Sequence, residues 1–171
     1  MSNHHQPSDK ESIGYDLILG RALVLLEKGG HTLKQSIELA MEKTSELGEL
    51  TREESEKIAE FLQRDLEEAA LYLDENGREL KDWLRFDLEV VEQHIFGLFS
   101  QMVDHTQAEL QKLHFKANMV GEWHSGEVVS IGTLECKSCG EHLHFHKTAR
   151  IPPCPKCRNG KFRRISNSDE A

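Results

Sequence analysis

The sequence predicts a mainly α fold: a long antiparallel helical hairpin or bundle, followed by a small C-terminal ribbon of three strands. Three observations carry this. Of the four prolines, Pro7, Pro152, Pro153 and Pro155, none falls between residues 8 and 151, and proline breaks helix interiors. Apolar residues through most of that tract recur every three or four positions, the period of one helix face. From Gly121 the texture changes to closely spaced glycines and β-forming residues, with all four cysteines between positions 136 and 157.

Each helix has its own signals. Ser8 with Glu11, Thr32 with Gln35 and Thr51 with Glu54 fit the capping box that starts a helix. Gly29-Gly30, Gly48 and Asn76-Gly77 supply stops. The expected helices are 9–28, 33–47, 52–75 and 79–117. Their expected apolar faces are Ile13, Leu17, Val24 and Leu25; Leu33, Ile37, Met41, Thr44 and Leu47; Ile58, Leu62, Leu66, Ala69 and Leu73; and a run from Leu80 through Leu84, Leu88, Val91, Ile95, Leu98 and Met102 to Leu110 and Leu113. Such narrow stripes favour an extended hairpin or coiled-coil-like bundle. The i, i+4 pairs Glu53–Lys57 and Glu60–Arg64 suit exposed helix surfaces. The last helix would run about 58 Å if unbroken, with Gly97 as its weak point.

In the C-terminal part, Val128 to Leu134 is rich in β-formers, and Leu143 and Phe145 alternate with His142, His144 and His146; that is strand periodicity. Lys161 to Ile165 makes a third strand. The expected organisation is a tail over 1–8, a helical domain over 9–118, a ribbon with its preceding β-rich linker over 119–166, and a tail over 167–171.

The cysteines are the strongest chemical signal. Cys136-x-x-Cys139 and Cys154-x-x-Cys157, fourteen residues apart, place four thiolates around one ion. Two disulfides would need an oxidising compartment, and Met1 to Ser12 lacks a signal-peptide apolar core. Zinc is expected for four thiolates, iron less so. A segment of about 35 residues is too small to fold on its own core, so the metal is expected to be structural, in a zinc ribbon. On this reading the helices form an independent module: Cys139→Ser or Cys154→Ser melts the ribbon and spares the helical signal. The histidines of the second strand read as a solvated face.

The stretches Gly121-Glu-Trp-His-Ser-Gly-Glu-Val-Val, Gly132-Thr-Leu-Glu-Cys136 and Ile151-Pro-Pro-Cys-Pro-Lys-Cys157 resemble an uncharacterised bacterial family of zinc-ribbon-containing proteins. The resemblance implies a helical N-terminal part, a C-terminal ribbon, zinc on all four cysteines and a cytoplasmic setting. It implies no biochemical role.

Charge is unevenly divided. The chain carries a formal net charge of -9, which disfavours general binding to nucleic acid or anionic membranes. Residues 136–165 reverse this, with eight basic side chains against Glu141 alone. Candidate contacts to a partner are Lys156, Arg158, Lys161, Arg163 and Arg164. Nucleic acid is one reading of this set, with Phe145 or Phe162 as a stacking surface if exposed. Protein contact or self-association is the other, and the basic ribbon can also dock on its own acidic helices. Cations near a four-thiolate zinc also offset about two negative charges.

Enzyme classes find little support. A di-iron carboxylate bundle needs Glu-x-x-His pairs on its helices; the one such pair, Glu141–His144, lies in the ribbon. Phosphate-binding, dinucleotide-binding and serine-hydrolase motifs are missing from the sequence. No small-molecule substrate is evident, and no apolar run reaches the ~18 residues of a membrane span. The expectation is a non-enzymatic zinc-binding adaptor or regulator in the cytoplasm. The alternative is a rubredoxin-like single-iron electron carrier using the same cysteines.

Overall fold

The computed structural model describes residues 10–76, 80–84, 92–113 and 122–165. The first capping box (through Ser8), the helix stop at Gly77, the domain boundary at 118/119 and both tails lie outside these residues. The helices are α1 (Lys10–Lys28), α2 (Leu33–Glu46), α3 (Arg52–Asn76), α4 (Leu80–Leu84) and α5 (Gln93–Leu113). The strands are β1 (Trp123–His124), β2 (Val128–Val129), β3 (Gly132–Cys136), β4 (His142–Phe145), β5 (Ala149–Arg150) and β6 (Lys161–Ile165).

The helical starts follow from their caps. Thr32 Oγ1 accepts from the Gln35 backbone N–H at 3.1 Å while Gln35 accepts from the Thr32 N–H at 3.0 Å. Thr51 and Glu54 make the same reciprocal pair. Gly29, Gly30 and Gly48 take positive φ, closing α1 and α2 where a side chain would be strained.

The helices form a bundle rather than an extended hairpin: α1 packs on α2, α3 and α5, and α3 packs on α2 and α5. The α3 face is as expected, with Ile58, Leu62, Leu66, Ala69 and Leu73 all buried. The α1 face is not. Ile13 and Val24 are half exposed, and the buried side is Tyr15, Ile18, Leu19, Ala22 and Leu23. A stripe chosen from large aliphatic residues overlooked Tyr15, Ala22 and the small residues that permit close packing. Gly14 shows the reason: a Cβ there would lie 2.4 Å from Leu50 Cδ1. In α2, Ser36 and Ala40 join Leu33, Ile37 and Thr44 inside, while Leu47 is exposed.

The fourth expected helix, 79–117, is not continuous. It is divided into α4 and α5, and Gly97 lies inside α5. Glu92 is non-helical and caps α5, its carboxylate accepting from the His94 and Ile95 N–H groups. Its own N–H donates to the His146 carbonyl at 3.2 Å, so the chain leaves the helical path to touch the ribbon.

The ribbon sheet has the order β1-β6-β3-β4, all antiparallel. Its inner trio, β6-β3-β4, is the expected three-stranded ribbon, and β1 adds a fourth strand at one edge. A separate pair, β2-β5, lies against the helices. Val128 and Ile131 belong to the same buried cluster as the helical core, whereas Trp123, Val129, Leu134, Phe145, Ile151 and Phe162 surround the cysteines. No helix of the described residues is long and apolar enough to cross a membrane.

Candidate metal centre

The two Cys-x-x-Cys segments form matching turns. In the first, the Gly140 N–H donates to the Cys136 carbonyl at 3.0 Å and the Cys136 N–H to the Glu141 carbonyl at 2.8 Å. In the second, Arg158 donates to the Cys154 carbonyl and Cys154 to the Asn159 carbonyl, both at 2.9 Å. The residue after each pair is left-handed: Gly140 at φ 79° and Arg158 at φ 66°. Glycine takes this conformation freely, whereas arginine is strained by it. Backbone N–H groups of Ser138 and Cys139 point at the Cys136 sulfur, and those of Lys156 and Cys157 at the Cys154 sulfur.

These turns bring the four Sγ atoms within 4.8 Å of one another. Cys136 and Cys157 are 3.5 Å apart, and Cys139 and Cys154 3.6 Å. A tetrahedral ion with metal–sulfur bonds of ~2.3 Å would separate its sulfurs by about 3.8 Å. The distances fit such an ion and are far too long for disulfide bonds, at ~2.05 Å. Cys136 and Cys154 are buried, Cys139 is half-buried and Cys157 is exposed.

The thiols of the set are unequal. Burial disfavours the Cys154 thiolate, but the N–H donors outweigh it and bring the thiol to about 7; the same balance lowers Cys136. At Cys139 the Glu141 N–H favours the thiolate, yet burial and three neighbouring sulfurs win and push it up to about 12. Four thiolates cannot crowd together uncompensated; a dication held by Cys136, Cys139, Cys154 and Cys157 would supply the missing charge and displace the remaining protons. All four donors come from the protein, which leaves no open position of the kind catalytic metal sites keep. Among the described residues, these cysteines are the cluster of three or more potential ligands that converges on one point.

The basic residues fare differently. Lys156 and Arg158 are exposed on the second turn. Lys161 lies 3.6 Å from Glu122, which Lys137 also binds at 2.7 Å. Lys137, with help from Lys161 and His124, holds the Glu122 carboxyl down at about 2. Arg163 pairs with Glu135, its neighbour across β3, at 2.6 Å. Arg164 departs most from the sequence reading. Its side chain is 7% exposed, is ion-paired to Asp65 and Glu68 of α3, and has its guanidinium 4.9 Å from the Trp83 ring centre and 5.2 Å from that of Trp123. It faces the helices, so the exposed members of the candidate set are Lys156, Arg158, Lys161 and Arg163. Phe145 and Phe162 are both buried and unavailable for stacking. His142 and His144 of β4 and His146 just after it are exposed, and a ring nitrogen of His144 lies 3.0 Å from Thr133 Oγ1.

Sequence reasoning missed the acceptor side of this arrangement. Asp65 and Glu68 read as two more carboxylates on an acidic helix. Their signal was position: they share the face of α3 that carries Leu62, Leu66 and Ala69, where an exposed carboxylate has no place.

A bundle carrying a ribbon with four converging cysteines defines a metal-binding ribbon protein. The comparisons give the family. Residues 25–166 match the family model described as "Zinc-ribbon containing domain", and the chain belongs to that family. It is similar to "Uncharacterized protein YbeL" of Escherichia coli strain K12, with 32% identity over 139 residues, covering 81% of this chain and 86% of the relative. The YbeL proteins of the O6:H1 and O157:H7 strains match to the same extent. No solved structure matches the chain at a significant level.

Proposed function

We propose that this protein is a non-enzymatic adaptor or regulator that holds one structural zinc ion and recognises a protein partner through the tip of its ribbon. The zinc assignment is supported by the closed four-sulfur geometry and by the family's description. Four thiols at non-bonded distance suit a reducing compartment, which supports a cytoplasmic setting.

The observation that carries the partner reading is how the ribbon's cations are used. Lys137 and Lys161 bind Glu122, Arg163 binds Glu135, Arg164 binds Asp65 and Glu68, and Arg150 binds Glu11. Lys147 is also engaged. Lys156 and Arg158 are left, beside the exposed prolines 152, 153 and 155. Two cations make a poor phosphate-binding surface, because affinity for nucleic acid grows with the number of phosphates neutralised. A proline-stiffened turn that carries two exposed cations is better suited to a preorganised protein contact.

The test has two parts. Metal analysis of protein purified from its own cells should find one zinc per chain; iron in its place supports electron transfer instead. Tagged wild-type protein and a Lys156→Glu/Arg158→Glu variant are then captured from those cells with and without nuclease. The proposal expects a protein partner that survives nuclease and is lost in the variant. Recovery of nucleic acid, with partners lost on digestion, would overturn it.

A further inference from the structure

The ribbon and the helices meet through polar groups that neither part satisfies alone. Asp65, fully buried on α3, accepts from Tyr15 of α1 at 2.6 Å, from the Ser130 backbone N–H at 2.9 Å and from Arg164 of β6. One turn on, Glu68 accepts from Arg164 Nε at 3.1 Å and from Trp123 Nε1 at 3.0 Å. Arg64 donates to Glu127 at 2.6 Å, with its guanidinium 3.8 Å from the centre of the Trp123 ring. Thr133 donates to the Leu84 carbonyl and Thr148 to Asp16.

Take the ribbon away and Asp65 keeps one of its three donors, while Glu68 loses both that it has here. Both carboxylates lie on the apolar face of α3, so an undocked bundle either keeps them dry without their partners, which is strongly destabilising, or opens that face to water. The apolar socket that holds Val128 and Ile131 would open at the same time. The ribbon, for its part, is too small to fold without its metal. The two sites are also mechanically adjacent. In the β3–β6 ladder Cys136 is opposite Phe162 and Leu134 is opposite Arg164, so the strand pair that positions one metal ligand also positions the guanidinium that neutralises α3.

We propose that the metal acts as a latch on the helical bundle. Its binding free energy holds the ribbon against α3 through Arg164, so metal occupancy and helix stability are coupled, and metal loss undocks the ribbon and loosens the helices. The expectation of two independent modules gives way to one cooperative unit. Linkage makes the coupling reciprocal: whatever factor docking adds to metal affinity, the metal returns to docking.

The experiment uses the full chain. Zinc affinity is measured by competition with a chromogenic chelator, and helix melting by circular dichroism with and without that chelator. Stripping the metal should lower the helical midpoint by at least about 10 °C. Arg164→Met, which leaves every cysteine in place, should weaken zinc at least tenfold, whereas Lys34→Met on α2 should leave it unchanged. Hydrogen exchange on the wild type needs no variant: on chelation, amides of 60–70 should lose protection together with those of 132–136. Retained protection over 60–70, or an Arg164→Met variant with wild-type zinc affinity, overturns the latch. The inference rests on metal binding by the four cysteines, and the two failures are separable. No zinc uptake would defeat that reading itself, whereas tight zinc with unchanged helix melting defeats only the coupling.

Discussion

Arg164 of the last strand and Asp65 of α3 form an ion pair across 99 residues of sequence, with side chains 7% and 0% exposed. The pair joins the two halves of the molecule, and the rings of Trp83 and Trp123 both lie near the guanidinium. It accounts for an otherwise odd feature of the sequence, an arginine in a strand beside the apolar Phe162 and Ile165. Buried ion pairs are not inherently stabilising, because desolvation offsets the attraction. Breaking one by removing a single partner is costly, however.

The zinc-loaded Arg164→Met protein is therefore expected to lose about 3–5 kcal/mol, the usual cost of stranding a buried charge. Adding Asp65→Asn removes the stranded charge and should recover part of that loss. Urea denaturation of the wild type, both single variants and the double variant measures the coupling. Strict additivity of the two single effects would show that the contact carries no interaction energy.

Glu68 gives a pH signature. Burial pushes its carboxyl up to about 6, opposed by Arg164 and reinforced by the Asp65 charge on the same helix, with Trp123 donating to it from β1. The folded state thus holds a proton that the unfolded chain, at the ordinary value of 4.5, has already released. Stability from this group is present below 4.5 and is lost as pH rises through 6. A Glu68→Gln variant keeps an acceptor but cannot ionise. Relative to wild type it should gain about 1 kcal/mol between pH 5 and pH 7. Parallel stability–pH curves for the two proteins would contradict the assignment.

Two glycines should respond in opposite directions to alanine. Gly132 has φ 142°, and a Cβ there would lie 2.7 Å from Arg164 Nη1 and 3.2 Å from Trp83 Nε1. Strain at such a backbone position alone costs about 1–3 kcal/mol, and the crowded guanidinium adds to it. Gly97 lies inside α5 with nothing within 4 Å of the added carbon, so alanine there should stabilise by up to about 1 kcal/mol through helix propensity. Thermal melts of both variants check the pair. A neutral Gly132→Ala would mean that Arg164 has room the structure does not give it.

Not every feature of this fold was legible in the sequence. Local chemistry was: the boxes at Thr32 and Thr51, the buried face of α3 and the four cysteines each depend on neighbours within one turn or one short motif. Long-range pairing was legible only in outline: docking of the basic ribbon on the acidic helices was one expectation, and Arg164 and Arg150 make such pairs, but the residues that pair were not. The inward turn of Arg164 depends on Asp65, and the alternation that places it there also suits an exposed basic strand. The α1 face was misread because Tyr15 and Ala22 are buried on an equally regular spacing, and Gly14 decides between the two by admitting Leu50. Non-helical Glu92 before α5 donates its N–H to the His146 carbonyl, a contact that no helix-period pattern contains.

Arg158 tests stability against function at a single residue. It is the non-glycine residue with positive φ among those described, at 66°, in the position that Gly140 holds in the matching turn. Glycine relieves that strain, although part of the gain is returned through the greater freedom of the unfolded chain. Arg158→Gly is thus expected to leave zinc affinity intact and to stabilise the ribbon by about 0.5–1 kcal/mol. The same change deletes one of the two free cations at the ribbon tip. If that tip is the contact surface, the variant should be the more stable protein and the weaker binder, read by denaturation and by capture of the partner side by side. A variant that gains stability and retains its partner in full would remove Arg158 from the interface.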